Sequence, residues 1–134
     1  MEKIDILSLN YEELLSELTK LGLPKFRTNQ IYDWLHKKCV KSFGEMTNIS
    51  KGLIAKLNDN FVILACTIEK KLISEYDNTV KYLFKLHDGE FIESVVMKYK
   101  YGYTICVSSQ VGCRMGCSFC ASGIAGFIRN LNPS

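Results

Sequence analysis

The sequence predicts an α+β protein in which a helical bundle gives way to short strands that lead into the opening of an α/β structure. Three observations carry this prediction. Apolar residues repeat at helical spacing as far as residue 61. From Val62 the pattern changes to short β-branched and aromatic runs separated by turn dipeptides. The last such run, "YTICVSS", feeds a loop with three cysteines inside eight residues.

The elements follow in order. Asn10 is placed to cap a first helix with Leu14, Leu15, Leu18 and Leu21 on one face, and Gly22 with Pro24 ends it. A second helix is expected from about residue 25 to 38, with Ile31, Trp34 and Leu35 facing inward. Ser50 caps a third, in which Leu53, Ile54, Leu57 and Phe61 repeat the pattern. Strands are expected near residues 63–73, 79–87 and 90–98, divided by turns at Asp77-Asn78 and at Asp88 to Glu90. A fourth strand follows the Tyr101-Gly102 turn and carries Cys106. Asn132-Pro133-Ser134 has the form of a helix cap with no helix behind it. One strand, one loop and a helix start cannot close a barrel, so the sequence is expected to be truncated. The expected domains are residues 1–61, helical; 62–100, a β-rich connecting segment; and 101–134, the start of a barrel.

A chain of 134 residues, 47% of them apolar, can bury a core and is not a disordered tail. The opening "MEKIDILSLN" has no apolar segment long enough for a signal peptide or a membrane span, which predicts a cytoplasmic protein without membrane association. In a reducing compartment six cysteines point to metal or redox chemistry rather than disulfides. Cys39 and Cys66, in apolar company, are expected to be core thiols. The net charge of +3 is unevenly spread: six basic residues stand against Asp33 between Lys20 and Lys41, and no acid follows Glu93. Such zones suit a polyanionic partner, and they equally suit solvated helix and loop faces.

Cys113, Cys117 and Cys120 have the spacing C-x3-C-x2-C, so one loop can wrap a compact centre. Structural zinc takes four ligands, and neither His36 nor His87 is close in sequence, though Cys106 could serve as a fourth. A four-iron cluster takes three thiolates and leaves one iron open. Gly112 and Gly116 let the backbone approach such a centre, and Phe119 can shield one side of it.

The block C-x3-C-x-aromatic-C resembles the cluster motif of radical S-adenosylmethionine enzymes. More narrowly, "ICVSSQVGCRMGCSFCASG" with "RNL" at Arg129 to Leu131 is similar to the adenine C2-methyltransferases of 23S ribosomal RNA and transfer RNA. "FRTNQIYDWL" and "EMTNISK" are similar to the stretch which that family carries before its barrel. The resemblance implies a partial TIM-like radical S-adenosylmethionine barrel, of which this chain holds the first strand and the cluster loop. It also implies a 4Fe-4S cluster on Cys113, Cys117 and Cys120, with S-adenosyl-L-methionine chelated at the open iron.

The implied chemistry begins with a methyl group on a cysteine near the family's C-terminus. A 5'-deoxyadenosyl radical removes hydrogen from that methyl, the carbon radical adds to adenine, and a second cysteine resolves the protein–RNA adduct by forming a disulfide. Cys106 falls on the resolving cysteine. Glu93, in "IESVVM", falls on an acid near the family's active site; as a residue of an alternating strand it reads equally well as solvent-facing. The resemblance further implies a helical RNA-contacting module bearing Lys25, Arg27, Lys37 and Lys38, a reducing donor such as flavodoxin, and a monomer. The missing C-terminal part implies that this chain alone is inactive. The alternatives are an adenine C8-methylating relative with the same cysteine block, a non-catalytic zinc-dependent RNA-binding module, and a ferredoxin-like carrier. The last would show a fourth cluster cysteine at short spacing.

Overall fold

The computed structural model describes residues 3–134, which form two compact units: residues 3–64 with 133–134, and residues 65–132. The first unit opens with β1 (Ile4–Asp5) and a 3-10 turn, followed by α1 (Tyr11–Lys20), α2 (Lys25–His36) and α3 (Lys51–Asn60), and then β2 (Phe61–Val62). The expected caps are present. Asn10 accepts from the Glu13 amide at 3.0 Å while the Glu13 carboxylate accepts from the Asn10 amide at 2.8 Å, a reciprocal capping box. Ser50 accepts from the Leu53 amide. At the end of α1, Gly22 takes φ +76°, and the Leu23 and Gly22 amides return to the Leu18 and Thr19 carbonyls.

Three helices this short are marginal alone and are held by their shared core. Leu14, Leu18, Ile31, Leu35, Leu53 and Leu57 meet Ile6, Phe43, Met46 and Phe61 in one buried cluster. Trp34 packs at its margin and donates to Asn48 at 2.5 Å. Neither β1 nor β2 is expected from the sequence. They pair in parallel, Ile4 opposite Phe61, and Asp5 accepts from the amides of Leu7 and Leu64 and from the Ser8 hydroxyl.

The second unit is a four-stranded antiparallel meander of β3 (Thr67–Ile73), β4 (Val80–Lys85), β5 (Phe91–Tyr99) and β6 (Gly102–Val107). A separate ribbon of β7 (Gln110–Gly112) and β8 (Phe127–Asn130) completes it. The four strands lie where the sequence places them, with ends displaced by up to four residues; residues 63–66 join no ladder beside β3. The expected division after residue 100 falls in the two-residue turn between paired Tyr99 and Gly102, so residues on either side of it share one sheet. This unit buries little: Val111 is its one buried hydrophobic residue among the described ones, while Ile68, Leu72, Ile105 and Val107 are exposed.

The expectation that Cys39 and Cys66 are core thiols is corrected, because both are exposed. Cys39 sits at φ +51° just after α2, and Cys66 lies outside any ladder between β2 and β3, so neither is on an inward-facing helix or strand position. No helix among the described residues is long and apolar enough to cross a membrane.

Candidate functional site

The sheet register decides which side chains share a face, because residues directly opposite in an antiparallel pair point the same way and alternate residues follow them. Lys70 lies opposite Leu83, Leu83 opposite Glu93, Lys81 opposite Val95, and Val95 opposite Cys106. One face therefore carries Lys70, Leu72, Lys81, Leu83, Glu93, Val95 and Cys106. Of these, Lys70, Leu72, Lys81, Leu83 and Glu93 line a shallow cavity of about 110 Å3. The Glu93 carboxylate is paired with the Lys81 ammonium at 2.8 Å, both side chains about half exposed. Cys106 is an exposed free thiol on the edge strand. On the residue pattern alone it reads as a buried strand thiol, but an edge strand with no neighbour on one side leaves it open. Beyond β6, the Ser108 hydroxyl donates to the Glu93 carbonyl at 2.8 Å, so the chain that leaves toward the cysteine loop is tied back to the strand bearing the carboxylate.

The cysteine loop spans residues 113–126 and is closed at its base by β7 and β8. There Gly112 and Gly126 both take positive φ, +72° and +74°, and the Cys113 amide donates to the Gly126 carbonyl at 3.2 Å. A Cβ on Gly112 would overlap that carbonyl, so only glycine permits the close approach. Within the loop the Cys120 amide donates to the Cys117 carbonyl at 3.1 Å, and a 3-10 turn runs over Ala121–Gly123. The Met115 amide faces the Cys113 sulfur at 3.5 Å. Phe119, Met115 and Ile124 project into solvent at 91%, 78% and 86% exposure.

The ribbon is anchored by residues that the sequence reading did not assign. The Arg129 guanidinium on β8 grips the Asp88 carboxylate at 2.6 and 2.8 Å. The Arg129 hydrogen bond is the chief reason that the Asp88 carboxyl is held below the ordinary aspartate range. Arg114 lies over the Phe127 ring at 3.9 Å, which leaves it flat against the base of the loop. The signal for the anchor was present in "DGE" and "RNL", but nothing in either motif tells that one reaches the other.

All six cysteines are free. Three thiols on one short loop, with a glycine-lined base and a backbone amide directed at one sulfur, are a soft donor set that suits iron and sulfide. The loop carries these donors without gathering them: among the described residues, no three His, Cys, Asp or Glu side chains stand close enough to hold a metal ion. In the helical unit, Lys37 pairs with Asp33 at 2.8 Å, Lys38 lies over the Trp34 ring at 3.4 Å, and Arg27 donates to Gln30 at 2.8 Å. Lys37 and Lys38 are exposed just past the end of α2 and Arg27 is half-buried, each beside a partner from α2, which is compatible with either reading offered for them.

Residues 4–63 match the family described as the ribosomal RNA large subunit methyltransferase N-terminal domain. Over 133 residues, 99% of its length, the chain is 52% identical to a probable dual-specificity RNA methyltransferase RlmN of Lachnoclostridium phytofermentans. The chain belongs to the RlmN family. It is also 55% identical over 131 residues to the RlmN protein of Alkaliphilus oremlandii. A crystal structure of a radical SAM methyltransferase from Sphaerobacter thermophilus superposes on 96% of the chain with a TM-score of 0.83 and 37% identity. The chain spans 37% and 38% of the two RlmN relatives' lengths and 38% of the solved chain. Its mixed helix-and-sheet structure is therefore that of an RlmN-type N-terminal portion.

Proposed function

We propose that this chain is the N-terminal part of a radical S-adenosylmethionine enzyme that methylates C2 of adenine in 23S ribosomal RNA and transfer RNA through a methyl-cysteine intermediate, and that it is inactive without the rest of the barrel. The observation that carries the reading is the placement of Cys106 and Glu93 on one sheet face, with the chain running directly from that strand into the three-cysteine loop.

In this reading Cys113, Cys117 and Cys120 would hold a 4Fe-4S cluster, which when bound supplies the electron for reductive cleavage of S-adenosyl-L-methionine. Gly112 keeps the base of the loop closed so that Cys113 starts from a fixed point. Cys106 acts as a thiolate. It attacks the sulfur of the thioether that links enzyme to RNA and forms a disulfide with it, the carbon–sulfur bond breaks with its electron pair going to carbon, and a proton completes the methyl group. Its exposure on an edge strand allows an approach by both nucleic acid and a second cysteine. Glu93 lies diagonally across from Cys106, where a carboxylate can hold a proton or accept from the adenine edge. The ion pair with Lys81 holds the carboxylate in place until substrate displaces it. The exposed apolar residues of β3 and β6 give a further barrel segment a surface to cover. The helical unit, flavodoxin-type reduction, a cytoplasmic location and a monomeric state complete the proposal.

The test is the iron, sulfide and zinc content of protein purified and reconstituted without oxygen, beside the Cys113→Ala, Cys117→Ala, Cys120→Ala triple variant. About four irons per chain, lost in the variant, is the expected result. Zinc in place of iron would replace the enzyme by a zinc-dependent RNA-binding module. In full-length enzyme Cys106→Ala should accumulate RNA covalently attached to protein, and free turnover by that variant removes Cys106 from the role.

A further inference from the structure

The β5–β6 turn reads Lys98-Tyr99-Lys100-Tyr101-Gly102-Tyr103, and its side chains are set out in an order that solvent exposure alone does not call for. Tyr99 and Tyr101 are stacked, ring centroids 5.2 Å apart and planes within 10°. Tyr101 is 80% exposed and Tyr103 71%. Lys98 and Lys100 are exposed, and neither has an acidic partner among the described residues. No acid occurs in the sequence after Glu93, and the two arginines of this stretch are engaged with Phe127 and Asp88. The free positive charge of the segment is thus concentrated at the turn that also presents the aromatic faces.

The register links this turn to the candidate site. Glu93, Val95, Met97 and Tyr99 alternate along β5 on the face that carries Cys106, and Tyr99 pairs with Gly102. From Cys106 to Gly102 is four residues of strand, or roughly 13 Å. A base lying against the tyrosines would belong to a nucleotide near one presented to Cys106, not to a remote segment.

The geometry points to the Tyr99–Tyr101 pair as a stacking platform for an unpaired base of single-stranded RNA flanking the target adenine, with Lys100, between the two tyrosines in the turn, neutralising a neighbouring phosphate. The inference rests on the RNA-methylating reading proposed above and adds a subsite to it. Tyrosine gives a rigid π surface that any base can use, which suits a segment next to the modified nucleotide rather than one read for sequence. Lysines without carboxylate partners keep their full charge available for phosphate. Duplex RNA, whose bases are already stacked on one another, offers this platform nothing.

The experiment measures fluorescence anisotropy of a labelled single-stranded oligoriboadenylate with the 134-residue chain, with an RNA duplex as comparison. Tyr101→Ala, at an exposed turn position where folding is not at stake, should weaken single-strand binding by roughly 5- to 100-fold, while Tyr101→Phe retains it. Lys100→Ala should flatten the slope of log K against log salt by about 0.7, and Lys98→Ala, on the opposite face of the sheet, should leave it unchanged. Unchanged binding by Tyr101→Ala, an equal loss in Tyr101→Phe, or an equal preference for duplex would each overturn the platform. Absence of any binding by the wild-type chain would overturn it too. None of these outcomes touches the iron and sulfide content, which tests the enzyme reading without RNA.

Discussion

Replacing Gly112 by alanine tests how the cysteine loop is held. Gly112 has φ +72°, and a Cβ there would overlap the Gly126 carbonyl and come within 3.2 Å of the Phe127 Cα. The left-handed conformation costs a non-glycine residue roughly 1–2 kcal/mol. Displacing the Gly126 carbonyl also removes the hydrogen bond from the Cys113 amide, worth a further 0.5–1.5 kcal/mol or so. Together the local loss is roughly 2–3 kcal/mol, or about 30- to 150-fold in the opening equilibrium of the β7–β8 base. Gly116 is the internal control. It has φ +63°, but nothing lies within 4 Å of its would-be Cβ, so Gly116→Ala should cost only the conformational part, about 1 kcal/mol. Amide hydrogen exchange at Cys113 reads the opening directly, and iron retained per reconstituted chain reads its consequence. Gly112→Ala should lose protection at Cys113 and load less iron than Gly116→Ala. If the two variants behave alike, or if Cys113 stays protected in Gly112→Ala, the idea that close backbone approach holds the loop base is wrong.

Thr28 is fully buried and its hydroxyl has no partner among the described residues, so Thr28→Val should raise the unfolding free energy by about 1 kcal/mol in urea titrations; a loss of stability would mean that the hydroxyl is satisfied after all. The Asp88 carboxyl, held down chiefly by its hydrogen bond from Arg129, should titrate below the ordinary value of about 3.9 and move back toward it in Arg129→Gln. Because the folded value is the lower one, this contribution to stability is present above the unfolded carboxyl's pKa and disappears as pH falls through the folded value; an unmoved NMR midpoint in the variant would refute the pairing. A thiol reagent under native conditions should modify Cys39, Cys66, Cys106 and Cys117 rapidly and the half-buried Cys113 and Cys120 more slowly. Cys39 and Cys66 reacting only after denaturation would restore them to the core.

The helical unit was legible because its signals are local. Asn10, Gly22 and Ser50 mark helix ends by their own chemistry, and the leucine spacing fixes the buried face. β1 and β2 were not legible, since two residues cannot display a period, and their pairing joins positions far apart in the chain. Cys39 and Cys66 misled because apolar neighbours say nothing about which way a side chain points at a chain reversal or outside a ladder. In the second unit, the cysteine spacing identified the loop and the resemblance picked out Cys106 and Glu93. That the two share a face depends on register, which is set by the two-residue turn at Lys100-Tyr101 and cannot be read from either residue. The Arg129–Asp88 anchor was hidden for the same reason: it spans 41 positions.

The parallel pairing of β1 with β2 has a consequence for how such a chain can be assembled and reassembled. Ile4 stands beside Phe61, so the stretch from Ile4 to Val62 begins and ends at neighbouring points. A unit whose two ends meet can be spliced into a surface loop of a host, or moved from one host to another, with a single small seam and no stretching of either partner. Recombination can therefore treat these helices as a cassette. The same closure means that new termini cut at the Gly22 turn, with the old ends joined by a short linker, should still fold.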